Sequence, residues 1–427
     1  MTRNVAHATF RRSIEVLEGI RMLHMKRPVR LAAAALVVAA LGATAACSGA
    51  STGGQAVTSG QSAAATSSSA PAPVAVVTAS PALGDQQLSP TEPVTIKVAK
   101  GTISTMQVTN PEGASVKGTL STDKSSWTLD EPLGYGRTYT VAGSAMGTDG
   151  LSVPIAGSYT TVTPTAKFTS KISPGDDAVV GVAAPVIVRF GSAPTDKDLI
   201  QQHVTITTTP KVEGAWAWIT HDGDTWPSLD WRPKEYWPSG TVVHVESDLY
   251  GVKIGDGVFG GDKVTSDFTI GRNQVVLADA NSHNMVVQRD GATVATYDAS
   301  FGSGDLIGDP NRVTRSGTHI VMDKKETTTM SNPAYGYTDV TEHWAVRISD
   351  NGEFIHQNQA TVANQGVDNV SHGCINLSAE NAQAYFQTAI YGDPVVVTGT
   401  SVQLSPADGD IYDWAIPWSE WTTLATN

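Results

Sequence analysis

Cysteine is nearly absent. Cys47 and Cys374 are the only two in 427 residues, so no disulfide framework holds the chain together. Charge is scarce as well, at 16% of residues, and its balance is acidic, with a formal net charge of −13. Lysine and arginine cluster nowhere beyond the N-terminus, which excludes the basic patch that a nucleic-acid partner needs. Long apolar runs are missing too, except for Leu31 to Ala46. What fills the chain instead is short β-branched runs set among 40 glycines and 22 prolines. That pattern favours a mainly β, loop-rich architecture, and the length allows two to four domains with ample buried core.

The exceptional apolar run follows a basic cluster, Lys26-Arg27-Pro28-Val29-Arg30. It is too short for a comfortable membrane span of about 20 residues, and it suits a signal peptide. The small residues before Cys47 resemble a bacterial lipobox, in which Cys47 becomes the lipidated first residue. Thr44 stands where the usual Leu belongs. Ala43-Thr44-Ala45 serves equally as a cleavage site for simple secretion, and an uncleaved anchor is the third reading. All three place the rest of the chain outside the cytoplasm, and the expectation is a membrane-anchored lipoprotein with residues 1–47 as signal peptide and lipobox. Residues 1–24 are unusual for a signal peptide, so Met22 or Met25 is an alternative start. A lone thiol at Cys374, kept in an oxidising compartment, is a liability unless it does something.

Residues 48–80 are Ser/Ala/Gly/Thr low complexity and read as a flexible tether. Residues 81–165 alternate short strands, such as Thr95-Ile96-Lys97-Val98 and Thr138-Tyr139-Thr140-Val141, with turns, as a β-sandwich does. Residues 166–271 repeat the pattern. Trp127, Glu131, Gly136 and Val141 recur as Trp231, Glu235, Gly240 and Val245 at a constant offset of 104, which points to two copies of one domain. Both segments resemble bacterial immunoglobulin-like domains. Trp216, Trp218, Trp226, Trp231 and Trp237 crowd the second copy, where core packing and contact with the next domain are favoured over a carbohydrate platform. Residues 272–400 form a third, β-rich unit. It contains a long polar connection from Lys324 to Thr341, of the kind that serves as a lid. Its one persuasive helix begins at Ser378 as N-cap. Residues 401–427 carry Trp414, Trp418 and Trp421 and read as a tail packed on the third domain.

The chemistry gathers near Ser371-His372-Gly373-Cys374-Ile375-Asn376, separated from His356 by fourteen residues. A thiol attacks acyl carbons as a thiolate, and a histidine within reach takes its proton. On an extended backbone His372 and Cys374 share a strand face; His356 reaches the thiol only from a neighbouring strand. Gly373 allows successive N–H groups to converge, as an oxyanion site requires. Three readings compete on these residues: a cysteine acyl-transfer enzyme, a zinc site of His356, His372 and Cys374 that lacks a clear fourth ligand, and a site with no chemistry.

His356, a gap of this length, then Ser-His-Gly-Cys, one residue and Asn is similar to the signature of the L,D-transpeptidase family and its YkuD-type catalytic domain. Two immunoglobulin-like domains ahead of it and a Trp-rich tail behind resemble the mycobacterial and actinobacterial members. The resemblance implies peptidoglycan 3→3 cross-linking. Cys374 is then the nucleophile that releases D-Ala from a donor tetrapeptide stem, and the acyl group passes to the amine of an acceptor stem's diaminopimelate. It makes His356 the base and later the acid, oriented by the backbone carbonyl of Gln357. The N–H groups of His372, Gly373 and Cys374 become the oxyanion donors. Asn376, Asn351, Gly352 and Tyr337 become substrate contacts, with Tyr335 competing for the tyrosine's place. It implies no metal or organic cofactor. Its implied partners are peptidoglycan stems, a lipid-anchored membrane and carbapenem-type β-lactams as covalent inhibitors. The alternatives are an L,D-carboxypeptidase, which uses water as acceptor, and a non-catalytic envelope protein.

Overall fold

The structure, a computed structural model, describes residues 71–408 and 411–426. Cys47, the leader before it and residues 48–70 lie outside the described residues. The tether ends sooner than composition suggests, because Val76–Ser80 is a strand paired antiparallel with Thr95–Ala99. Val76 and Val77 carry the β-branched side chains that the Ser/Ala background hides. Among the described residues no helix is long and apolar enough to cross a membrane.

The first sandwich stacks two four-stranded sheets. One runs Val76–Ser80, Thr95–Ala99, Ser126–Leu129, Gly118–Leu120; the other runs Ser115–Val116, Gly101–Thr109, Thr138–Gly147, Ser152–Thr160. Alternation along these strands delivers Ile96, Val98, Trp127, Tyr139 and Val141 to one core. The second sandwich repeats the plan. Its sheets are Ser170–Ser173, Val186–Phe190, Ser228–Pro233, Gly214–Ile219 and Val179–Val180, Val264–Ile270, Val242–Ser247, Val204–Thr209.

The internal echo has a physical basis. Trp127 lies across Gly118 on the adjacent strand, where a Cβ would sit 1.9 Å from the indole. Trp231 lies across Gly214 in the same way, at 2.0 Å. Gly136 and Gly240 both hold positive φ, 63° and 81°, and lead into the strands that bury Val141 and Val245. The repeated residues do the same work twice. Trp218, Trp231 and Trp237 are buried in the core of the second sandwich. The two sandwiches meet where the Tyr135 ring lies tilted against Tyr250, 4.9 Å between ring centres, and its hydroxyl donates to the Gly260 carbonyl at 2.8 Å.

The third domain has two sheets. The five-stranded one runs Ala292–Asp298, Asn284–Arg289, Gln274–Asp279, Pro394–Thr398, Gly317–Ile320. The four-stranded one runs Asp323–Asn332, Tyr337–Arg347, Phe354–Gln357, Ile375–Leu377. Val276, Met285, Phe301, Ile355, Ile375 and Tyr385 pack between them. The helix Ala379–Thr388 is capped by the Ser378 side chain, which accepts the Asn381 N–H. The expected polar connection over 324–341 is a paired hairpin, its strands joined by a single turn at Pro333–Tyr335. Sequence pattern misses it because both faces are largely polar, so no apolar period of two survives.

Second sandwich and third domain approach backbone to backbone. Gly181 N–H donates to Tyr391 O at 2.7 Å, and a Cβ on Gly181 would lie 2.3 Å from Asp393 N. The tail joins the same two bodies. Residues 401–408 lie on the third domain, where Leu404 N–H donates to Ser316 O at 2.7 Å and Arg315 pairs with Asp408. The Trp-rich part reaches both bodies: Ile411 and Trp414 pack with Ile320 and Met322 of the third domain and with Ala183 and Ile187 of the second sandwich. Tyr412, Ile416 and Trp421 cover Ala217 and Ile219 of the second sandwich. The strand Gly214–Ile219 turns Trp216 and Trp218 into its own core, which leaves its other face apolar and in need of cover. Arg232 sits among Trp414, Trp418 and Trp421, 4.5–5.2 Å from each ring centre. Beneath this strap His221, Asp230 and Asp413 are buried together.

Candidate active site

His356 is set by the strand Phe354–Gln357, which runs parallel to Ile375–Leu377 with His356 opposite Asn376. Ile355, Ile375 and Leu377 point into the core. By alternation His356, Asn376 and Cys374 face the other way, into a cleft of about 260 Å³. His356 Nδ1 lies 2.7 Å from the Gln357 carbonyl oxygen and 3.2 Å from Glu342 Oε2. Cys374 lines the same cleft and interacts electrostatically with the ring. His356 is buried. Burial alone disfavours the imidazolium, but the hydrogen bonds and charges of Cys374 and Glu342 outweigh it, and His356 is pushed up to about 10. The Cys374 thiol also approaches the Gly352 carbonyl, at 3.6 Å.

One hydroxyl shapes the turn that carries the thiol. Ser371 Oγ accepts the Gly373 N–H at 3.1 Å and donates to the Cys374 carbonyl at 2.6 Å. Ser371 is itself pinned, its N–H donating to Phe301 O at 2.9 Å. Gly373 O accepts the Thr314 hydroxyl at 2.8 Å. Gly373 has φ of +125°, a conformation that suits glycine alone.

Two expectations are corrected by this turn. The extended backbone that puts residues 372 and 374 on one face does not form. The His372 ring lies instead between Tyr335 and Tyr337, 5.3 Å from each, and burial followed by the charge of Arg312 lowers its pKa. The Gly373 N–H is engaged by Ser371, so it is not a free oxyanion donor. The N–H groups of His372 and Cys374 have no acceptor among the described residues.

Met330, Tyr337 and Val340 of the hairpin form the apolar part of the cleft lining. Tyr335 hydrogen-bonds Asp309 at 2.9 Å, which leaves Tyr337 as the tyrosine on the cleft. Burial, then Cys374 and Glu342, push its phenol up. Asn376 donates to Thr361 Oγ1 at 3.2 Å, while its buried side-chain oxygen has no partner among the described residues. Asn351 is not brought to the cleft. Its side chain bonds the Ser349 hydroxyl and its N–H reaches Asp408 O.

Residues 273–397 match the L,D-transpeptidase catalytic domain, and residues 85–253 match a bacterial Ig domain across both sandwiches. L,D-transpeptidase 5 of Mycobacterium tuberculosis is 45% identical over 83% of this chain and 78% of its own length. The chain belongs to the L,D-transpeptidase family. L,D-transpeptidase 2 of the same organism is 35% identical over 81% of this chain and 83% of its own. The solved structure of LD transpeptidase LdtMt1 in complex with imipenem is 33% identical, covers 53% of this chain and 97% of its own, and has a TM-score of 0.45.

Within this L,D-transpeptidase the sequence reading passes over Glu342 and the roles of Ser371 and Thr314. Glu342 comes to His356 through the antiparallel pairing of Val346 with Ile355, a contact with no local signature. The Ser371 bonds were foreseeable, since a serine hydroxyl commonly accepts the N–H two residues on.

Proposed function

We propose that the protein forms 3→3 peptidoglycan cross-links through a Cys374 acyl-enzyme. The observation that carries this reading is that Cys374 and His356 line one open cleft and couple electrostatically, with His356 Nδ1 held by Gln357 O, in a chain of this family. His356 takes the thiol proton. The thiolate adds to the carbonyl carbon between the third and fourth residues of a donor tetrapeptide stem, and the His372 and Cys374 N–H groups bind the oxyanion. Collapse of the adduct breaks the C–N bond, the imidazolium proton passes to the departing nitrogen, and D-Ala leaves. The acceptor's diaminopimelate amine then attacks the thioester. His356 takes a proton from it and returns that proton to the released thiolate. Gln357 O orients the ring, and Asn376, Gly352 and Tyr337 contact the stem. A carbapenem-type β-lactam acylates Cys374 by the same addition. Lipid on Cys47 holds the enzyme at the outer face of the membrane, with the sandwiches as spacer.

Supplying a donor stem with and without an acceptor stem, and weighing the products, tests the reading. Cross-linked product from the native enzyme and none from folded Cys374→Ala is the expected result. Tripeptide without cross-link, in the presence of acceptor, makes the protein an L,D-carboxypeptidase. Undiminished activity of Cys374→Ala sinks the cysteine mechanism.

A further inference from the structure

The reaction above asks for one acceptor on His356 Nδ1, and the Gln357 carbonyl provides it. The structure holds two. Glu342 is fixed by the hairpin pairing, opposite Thr328, and its carboxylate lies 3.2 Å from Nδ1. Its side chain is 17% exposed and that of His356 only 4%, so water screens their attraction poorly. Cys374 shares the cleft with His356 and couples to the same ring. Of the other ionisable groups on the cleft lining, Tyr337 faces both Cys374 and Glu342, and His372 has Arg312 and Asp309 as its charged neighbours.

We propose that Glu342 is a positioning residue that sets how much of the Cys374–His356 pair exists as thiolate and imidazolium. Moving the proton from sulfur to ring creates a cation 3.2 Å from the Glu342 carboxylate and an anion on the sulfur. The carboxylate, hydrogen-bonded to the ring, stabilises that cation more than it destabilises the anion. The Gln357 carbonyl, a neutral dipole, fixes the tautomer, whereas Glu342 contributes the charge. Glu342 acts again after acylation. The sulfur is then an uncharged thioester, and Glu342 remains the anion that keeps His356 a strong base toward the acceptor amine. This inference rests on Cys374 as the reacting group and on no particular substrate.

The test uses the full chain with Cys47→Ser, so that Cys374 is the sole thiol, and the neutral reagent iodoacetamide. Alkylation rate is followed against pH for the parent, Glu342→Gln and Glu342→Asp, alongside the thermal midpoint. Gln keeps the size and the acceptor oxygen and deletes the charge. The expected result at pH 7 is a rate about tenfold lower in Glu342→Gln, the change that one unit from a neighbouring charge produces. The alkylation profile moves to higher pH than the parent's, the rates converge at high pH, and Glu342→Asp recovers part of the loss. Superimposable profiles overturn the proposal. So does an equal loss at every pH, which reports packing, or an unchanged profile with a raised KM for the acceptor, which makes Glu342 a substrate contact. Alkylation needs no stem peptide, so a failed cross-linking assay leaves this result standing and distinguishable.

Discussion

At the scale of single residues, the turn that carries the thiol is held by one serine hydroxyl. Ser371 ties the Gly373 N–H and the Cys374 carbonyl into one turn. Ser371→Ala leaves both groups without that partner, each at a cost of about 1–3 kcal/mol if it finds no substitute. The expected outcome is a 10- to 100-fold slower acylation by donor stem, seen in single-turnover mass spectrometry. Iodoacetamide alkylation at high pH changes little, and Ser371→Thr restores the rate. A Ser371→Ala enzyme that acylates at the native rate refutes the role. His356 and Cys374 were legible because their spacing forms a motif. Glu342 was not, because the motif records neighbours along the chain and Glu342 is a neighbour across a sheet. The offset of 104 between Trp127 and Trp231 was legible for the opposite reason, since each indole demands a glycine opposite and the demand recurs with the domain.

At the scale of elements, the hairpin Asp323–Asn332 and Tyr337–Arg347 does two jobs. Its base carries Glu342 to His356, and its outer part supplies Met330, Tyr337 and Val340 to the cleft. The sequence showed a polar stretch of suspicious length and no more. A ribbon wet on both faces leaves no alternating stripe to read. Replacing Met330–Val340 by Asn-Gly leaves Thr329 paired with Thr341 and closes the strands with a two-residue turn that antiparallel pairs accept. The expected outcome is at least a tenfold lower kcat/KM for donor stem, since burying one aromatic side chain is worth about 1.5–3 kcal/mol. Iodoacetamide reactivity at Cys374 is retained, because Glu342 and His356 stay in place. Unchanged kcat/KM removes the hairpin from substrate binding.

At the scale of the whole molecule, the strap makes one body of the second sandwich and the third domain. Its buried charges give that union a pH dependence. Asp413 has no hydrogen-bond partner on either side-chain oxygen among the described residues. Burial, then the charge of Asp230, pushes it up to about 7 from 3.8. The folded protein thus keeps a proton that the unfolded chain gives up near 3.8. The stability this confers is complete below that value and is lost as pH rises through about 7. His221 opposes its own burial through Asp230 and is pushed up to about 9 from 6.5, so its contribution is lost in turn as pH climbs from 6.5 through about 9. Asp413→Asn removes the first loss. Its thermal midpoint relative to the parent rises between pH 5 and pH 8 by calorimetry, and a constant difference refutes the assignment. The strap also fixes an order in time. Synthesis proceeds from the N-terminus, and the strand Gly214–Ile219 is made about two hundred residues before Trp421. Until the last segment arrives, Ala217 and Ile219 have no cover from it. The middle domain is therefore the last to be finished.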